Sequence, residues 1–464
     1  MLSDTLVELS RWQFALTAML HFLFIPLTLG LGLLLAVWET VFAVTGRANF
    51  LKLIDFWRPI FAINFLLAFA TRLTVVLQFG MNGSYFAHYV GDVFALPLAI
   101  EVLSGFFPAC ILFSVYWFGR GKLGKTAYCL SAWLIALTVH GSAFWIMLAN
   151  AWMQNPVGAA FNPFPYRIEL LDLSTLLDNP IALGKFVHTA AASHAAAAAV
   201  FVAIASFRLR QDSQDPVAKT SINYGSVLGL AALVVVLAAT DRTPSLSQPV
   251  QQAKLAAISG DYPAALQADL ATHIRNGQTA FALLEQIRDD NRDPKLMADF
   301  DSIKADLGYA LLLKPFSKQI AQATDKQIAL AAQNALPGFP KLLYWVNRAM
   351  IACGFLSLFW FMGLGWQSLR RQAPHWLLTA NVYLAALPWL ACIAGWFVAE
   401  AGKQPWSIAG VLPIAQSISS LSIKELVLSL LGYSTVYGCM LAAAYRLLKA
   451  ALINPQFLGS GDCK

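Results

Sequence analysis

A small set of side chains in this sequence could ligate iron or carry protons from within apolar surroundings. His21, His140, His188 and His194, together with Glu101 and Glu400, fall in or at the end of long hydrophobic runs, and Met350 stands in another. Ionisable groups are costly in such surroundings, so each is a functional candidate. A histidine and a methionine together make a six-coordinate, low-spin haem iron that transfers electrons, whereas a five-coordinate haem leaves one position open for a gas. Other members of the set have plainer readings. A lone intramembrane histidine serves as often as an interhelical hydrogen-bonding residue, and His140 and His194 are read that way. His188 and His194 are six residues apart and do not share a helix face. Met350 alone would be core filling, and Glu400, closing its run, would be interfacial.

The elements that must position these residues follow from composition. Of 464 residues, 58% are hydrophobic and 12% are charged, about half the charged share of a soluble domain. An aqueous globule could not hide that much apolar surface, so the chain reads as an integral membrane protein. A helix needs about 20 apolar residues to cross the hydrocarbon core. Nine such runs are present, at 12–44, 54–80, 93–119, 126–152, 182–207, 220–240, 339–366, 376–400 and 421–448. The expected fold is an all-α polytopic membrane protein with nine transmembrane helices, several long enough to tilt. The opening MLSDTLVELSRWQ has no basic n-region and no small-residue cleavage site, so the first run is read as a helix that stays rather than a signal peptide. The six cysteines form no CxxC pair and read as buried free thiols. The net charge of +7 is dispersed among loops and does not imply nucleic acid.

Basic residues set the orientation. Arg47 and Lys52, then Arg120, Lys122 and Lys125, then Arg208, Arg210 and Lys219, then Arg370 and Arg371, and finally Arg446 and Lys449 sit at the ends of the odd-numbered runs. The loop 81–92 has no Lys or Arg. The N-terminus is therefore expected outside and the C-terminus in the cytoplasm. The chain divides into helices 1–6 over 1–240, a large external loop over 241–338, and helices 7–9 with a cytoplasmic tail over 339–464. Amphipathic helices are expected in the loop at 263–288 and 295–313, and a connection this long is usually functional if ordered. At 1.5 Å per residue, His21 and His188 would lie within about 15 Å of the outer surface. Met350 enters its run from that side and Glu400 closes a run that exits there. Four candidate iron ligands would thus share one leaflet beneath the loop.

Longer blocks carry a resemblance. They are SRWQFALTAMLHFLFIPLTLG around His21, HYVGDVFALPLAIE ending at Glu101, ANAWMQNPVGAAFNP, KFVHT around His188, NRAMIACGF around Met350, and GWFVAEAGKQPW around Glu400. In this order, over nearly the whole chain, they resemble subunit I of the cytochrome bd-type quinol oxidases. Such enzymes bind three haems, oxidise quinol on the outer side and reduce oxygen to water in the bacterial cytoplasmic (inner) membrane. The resemblance implies that His188 and Met350 ligate a low-spin haem b. It implies that His21 and Glu400 ligate two high-spin haems, either haem b and haem d or haem b only. Glu101 would stand beside the oxygen-binding iron as ligand or proton donor. Arg348 would be a charge partner near the low-spin haem, Trp396 would lie between haems, and Lys403 would approach propionates. The loop 241–338 would be the Q-loop, in its short version, with Lys254 of QAKLAAI at the site of quinol oxidation. Implied partners are quinol, oxygen, a second membrane subunit and a small single-span subunit.

Several positions depart from the family pattern. Ala109 stands where other members carry a second glutamate on the proton route, and Val76 replaces a carboxylate in the block RLTVVLQFG. In that block Arg72 replaces a glycine. Ser259 replaces a glutamate after KLAAI, AATDRTPSLSQ replaces an acidic stretch opening the loop, and Lys403 brings a point charge where the family has the planar fork of arginine. The ligand set is spared; proton uptake and quinol oxidation are touched. Two haem-bearing readings follow. One is a complete quinol:oxygen oxidoreductase. The other is a divergent paralogue that binds haem and pairs with a subunit I in place of subunit II, or uses another donor or acceptor, without a full cycle of its own. A third class, a proton-coupled secondary transporter, would show inverted repeats and broken helices around a midplane site, and no such repeat is evident.

Overall fold

In a computed structural model, the structure describes residues 4–240, 249–288, 293–368 and 374–453. Arg370, Arg371, Cys463 and most of AATDRTPSLSQ lie outside these residues. Nine helices among the described residues are long and apolar enough to cross a membrane, from Thr5–Thr45 to Ile423–Ile453. The expected number and order hold.

The first span is two helices, α1 (Asp4–Phe22) and α2 (Ile25–Thr45), meeting at Leu23 and Phe24. Pro26 sits in the first turn of α2, where its missing N–H costs nothing. Helix α1 begins well before the apolar run because Leu6 packs on Ile418 and Leu426. His21 therefore lies about 25 Å along the axis from the start of its helix.

The next elements are α3 (Ala48–Met81), α4 (Ser84–Glu101), a π-helical turn at Val102–Phe106, α5 (Phe107–Phe118) and α6 (Lys125–Gln154). A hairpin of β1 (Ala159–Asn162) and β2 (Arg167–Leu170) follows, then α7 (Leu173–Leu177), α8 (Ala182–Gln211) and α9 (Pro216–Thr240). Helices α2, α3, α6 and α8 share the largest apolar core. Small residues let them approach closely, as membrane helix interfaces require. A Cβ added at Gly30 of α2 would stand 2.3 Å from the Cβ of Ala197, within the buried run Ala195–Ala199 of α8.

The π-helical turn follows Glu101 directly. Such one-turn insertions concentrate at functional sites. Gly105 within it lies against α6, where an added Cβ would meet Ser142 Cβ at 2.8 Å and its Cα at 3.0 Å. Gly105→Ala is expected to push α6 outward and cost about 1–3 kcal/mol, read as a lower melting temperature of the purified protein. An unchanged transition would show that the approach is not tight.

The segment between the sixth and seventh spans is helical and ordered where described. It contains α10 (Pro249–Ser259), α11 (Ala264–Arg288), α12 (Pro294–Ile303), α13 (Leu307–Ala310) and α14 (Asp325–Asn334). The helix expected at 263–288 is present. That at 295–313 is broken by a 3-10 turn at Lys304–Asp306, because the chain must bend to bury Leu307, Tyr309 and Leu313. The bend lets Gly308 touch another backbone: an added Cβ would lie 2.2 Å from the Gly410 carbonyl oxygen.

The chain closes with α15 (Pro340–Ser368), α16 (His375–Leu384), α17 (Ala386–Ala401), a short hairpin of β3 (Trp406–Ile408) and β4 (Leu412–Pro413), and α18 (Ile423–Ile453). The two small hairpins are the only strands among the described residues. Trp406 is buried against Tyr309 at 5.0 Å between ring centroids, which ties the loop segment to the end of α17.

Candidate functional site

His21 occupies the last turn of α1, and its Nδ1 is 2.9 Å from the Thr71 hydroxyl of α3. That hydroxyl donates to the Leu67 carbonyl at 2.8 Å, so it accepts from the ring. The proton is therefore on Nδ1, leaving Nε2 with a free lone pair. This is the tautomer a metal-ligating histidine needs, fixed by the partner on its other nitrogen. Phe22, the next residue, packs edge-on against Trp396 at 5.9 Å and Trp389 at 6.5 Å on α17.

His188 lies on α8 and hydrogen-bonds the backbone of Val236 on α9. Met350 lies on α15 with its Sδ turned to α17, 3.2 Å from where a Cβ would be at Gly395. Gly395 thus clears room for the thioether. Helix α17 packs on both α8 and α15, so it joins the elements carrying these two residues.

Glu400, at the end of α17, stands among lysines from three separate elements. Its Oε2 is 2.5 Å from Lys403 Nζ. Lys185 of α8 and Lys254 of α10 both interact electrostatically with Glu400 and Lys403. The other oxygen, Oε1, is shielded from solvent and makes no hydrogen bond of standard geometry, while the Asn150 side chain of α6 also engages the carboxylate. A shielded carboxylate oxygen so weakly satisfied is rare in proteins, and it is what an iron-ligating glutamate would present. Three ammonium groups against one carboxylate leave the cluster positive, which suits propionate or another anionic group. Burial pushes the Lys254 ammonium below the usual lysine range, while Glu400 opposes that shift. Lys254 also packs on the turn after α17, its Cγ 2.9 Å from where a Cβ would be at Gly402. Lys185, three residues before His188, was passed over by sequence reasoning; its place inside KFVHT was the available signal. It also donates to the Asn150 side chain of α6.

Arg348 does not face a carboxylate. Its guanidinium donates to the carbonyls of Tyr344 at 3.2 Å and Ile258 at 3.3 Å, tying α15 to α10. Glu101 is completely buried and engaged: Arg72 of α3 holds both its oxygens, and the Ser142 hydroxyl donates to one. Arg72 also lies over the Phe106 ring at 4.3 Å. Sequence reasoning marked Arg72 only as a departure. Its partner, 29 positions away, was out of reach of local pattern. Ala109 is buried and Val76 is exposed, and neither can carry a proton.

The residues fit haem: a histidine in the ligating tautomer, a thioether with space cleared beside it, a shielded and weakly satisfied carboxylate oxygen and a surplus of lysines around it. Comparisons with known proteins identify the family. Residues 9–454 match the family described as cytochrome bd terminal oxidase subunit I. The chain is 35% identical to cytochrome bd-II ubiquinol oxidase subunit 1 of Escherichia coli (strain K12), over 98% of each chain. It is 32% identical to cytochrome bd ubiquinol oxidase subunit 1 of Bacillus subtilis (strain 168), over 92% of this chain and 90% of the other. In fold it is similar to a chain of the bd oxidase from Geobacillus thermodenitrificans, with a TM-score of 0.75 at 19% identity, covering 98% of this chain and all of that one.

Proposed function

Because this chain belongs to the cytochrome bd terminal oxidase subunit I family, we propose that its histidines, methionine and glutamates within the helix bundle hold the haems of a quinol:oxygen oxidoreductase. It is a bd-type terminal oxidase subunit I, a multi-pass protein of the bacterial inner membrane. The proposal adds residue roles. His188 and Met350 ligate the low-spin haem b; His21 and Glu400 each ligate a high-spin haem, with haem d or a second haem b at the oxygen side. Haem, when bound, supplies an iron that passes single electrons and binds oxygen.

The observation that carries the reading is the shielded Glu400 Oε1 amid Lys185, Lys254 and Lys403. In this reading the three lysines orient anionic propionates, and Lys254 also meets quinol where the loop segment backs onto α17. Thr71 orients His21, and Trp396 with Phe22 fills the space between neighbouring haems. Arg72 and Ser142 hold the Glu101 carboxylate beside the oxygen side. Quinol oxidation takes place on the outer face, a reading supported by the distribution of basic residues. A second membrane subunit and a small single-span subunit complete the enzyme.

Reduced-minus-oxidised optical spectra of the purified protein test the reading. Haem b bands are expected, with a far-red band only if a chlorin-type haem d is present. Absence of all haem would overturn it. Thr71→Val removes the acceptor on His21 and is expected to weaken retention of one high-spin haem by about ten- to a hundredfold, measured as haem per protein after dilution. Full retention would remove Thr71 from the site.

The paralogue reading draws on Arg72, which occupies the carboxylate of Glu101, and on Ala109. In that case quinol-driven oxygen consumption survives replacement of both His188 and Met350 in an assembled complex. In the leading reading it stops.

A further inference from the structure

His140 on α6 and His194 on α8 lie outside the haem set. Their Nε2 atoms are 3.2 Å apart. The ring centroids are 5.1 Å apart and the planes differ by 25°, so the two nitrogens are the near edges of nearly parallel rings. On the far side of each ring, Nδ1 faces a carbonyl of its own helix: Ala136 at 2.7 Å from His140 and Ala190 at 2.6 Å from His194. A carbonyl oxygen only accepts, so both of these contacts need a proton on Nδ1. The contact between the Nε2 atoms needs a third. Two neutral imidazoles bring two. Whichever tautomers are chosen, a neutral pair leaves at least one of the three contacts without a proton between its atoms, all three being at hydrogen-bonding distance.

One more proton satisfies all three. We propose that His140 and His194 form an intramembrane proton-binding site that holds a single extra proton between their Nε2 atoms. The surroundings disfavour other occupants. A tetrahedral metal would hold two imidazole nitrogens about 3.3 Å apart, but it needs further ligands, and no third His, Cys, Asp or Glu is grouped with the pair among the described residues. A water molecule has no room between atoms already in contact. The buried charge is costly, but it is shared by two rings, and a charged ring strengthens its bond to the carbonyl behind it. Among titratable groups on the helices packed against the pair, Glu39 accepts from Tyr116, Cys392 bonds the Ala192 carbonyl, and Glu101 is held by Arg72. Lys185, on α8 itself, bonds Asn150. Glu400 on α17 is paired with Lys403, Asp92 on α4 accepts from the Leu170 N–H, and His188 on α8 bonds the Val236 backbone, so each of these groups already has a partner other than the pair. Two residues further along α6, Ser142 donates to Glu101 from nearly the opposite face of the helix, so the pair lies at about the depth of the oxygen side of the proposed site, across α6 from it. Its use there as a proton store, in a chain with Ala109 where other members carry a glutamate, rests on the oxidase reading.

Ultraviolet resonance Raman spectra of the purified complex in deuterated water read the imidazolium band directly. At pH about 8, above the ordinary histidine value of about 6.5, the wild type is expected to show it. His140→Gln and His194→Gln should each lose one imidazolium per chain. Should a glutamine variant fail to assemble, His140→Asn supplies the subtraction. Absence of the band in the wild type overturns the site, as does equal intensity in wild type and variant. One equivalent of copper or zinc in the wild-type protein also overturns it, in favour of a metal site. Haem spectra of the same samples report on the oxidase reading separately, since the Raman band is read with or without haem.

Discussion

Replacing Arg72 with glycine is expected to destabilise the protein by about 3–5 kcal/mol, because it strands a buried carboxylate without its counter-ion. Glu101 has no exposed side-chain surface and Arg72 has 15%, so solvent screens the pair little. Both guanidinium nitrogens engage the carboxylate, a geometry that lysine could not reproduce. Ser142 and the Phe106 ring complete the surroundings. Glu101→Gln alone strands the arginine and should cost a similar amount. The double replacement Arg72→Gly with Glu101→Gln should recover most of the loss, because neither charge is left buried. Thermal unfolding of the purified protein measures all three. A single variant as stable as the wild type would show that the pair is not what holds Glu101. The glycine restores the residue that the resemblance leads one to expect at this position, so the variant also tests a departure particular to this chain.

The second large effect is expected at Glu400. Under the proposed reading, Glu400→Ala removes an iron ligand and at the same time leaves Lys185, Lys254 and Lys403 facing one another without their shared anion. Complete loss of one high-spin haem from the optical spectrum is expected, with quinol-driven oxygen consumption falling to background. Glu400→Gln and Lys403→Ala together separate the two causes. The amide keeps the shape and loses the charge, so it should lose the same haem. Lys403→Ala should keep the ligand and weaken haem retention only in part. If Glu400→Ala retains every haem, the carboxylate is not a ligand and its role is confined to gathering the lysines.

Nine spans could be counted in the sequence because apolar length is a local property, set by the thickness of the hydrocarbon core. The residues proposed to hold haem were legible for a related reason: a histidine or glutamate inside an apolar run is conspicuous wherever its partners lie. The amphipathic loop helix at 264–288 was readable from its own periodicity. The break at Lys304–Asp306 was not, since it arises from burial of Tyr309 and Leu313 beneath a hairpin roughly a hundred residues later in the chain.

Tertiary structure decided the pairings. Arg72 meets Glu101 across 29 positions, and His140 meets His194 across 54. Lys185, Lys254 and Lys403 converge on Glu400 from α8, α10 and the turn after α17. The π-helical turn at Val102–Phe106 and its contact through Gly105 with Ser142 depend on how α4 and α6 pack. By itself the sequence determined the class of protein, the number of spans and the residues able to ligate iron, because side-chain chemistry and apolar length are carried by each segment alone. Only the packed helices decided which of those groups are left free for a ligand and which are already engaged, because a buried hydrogen bond or ion pair forms only where the fold sets two distant groups within about 3 Å of each other.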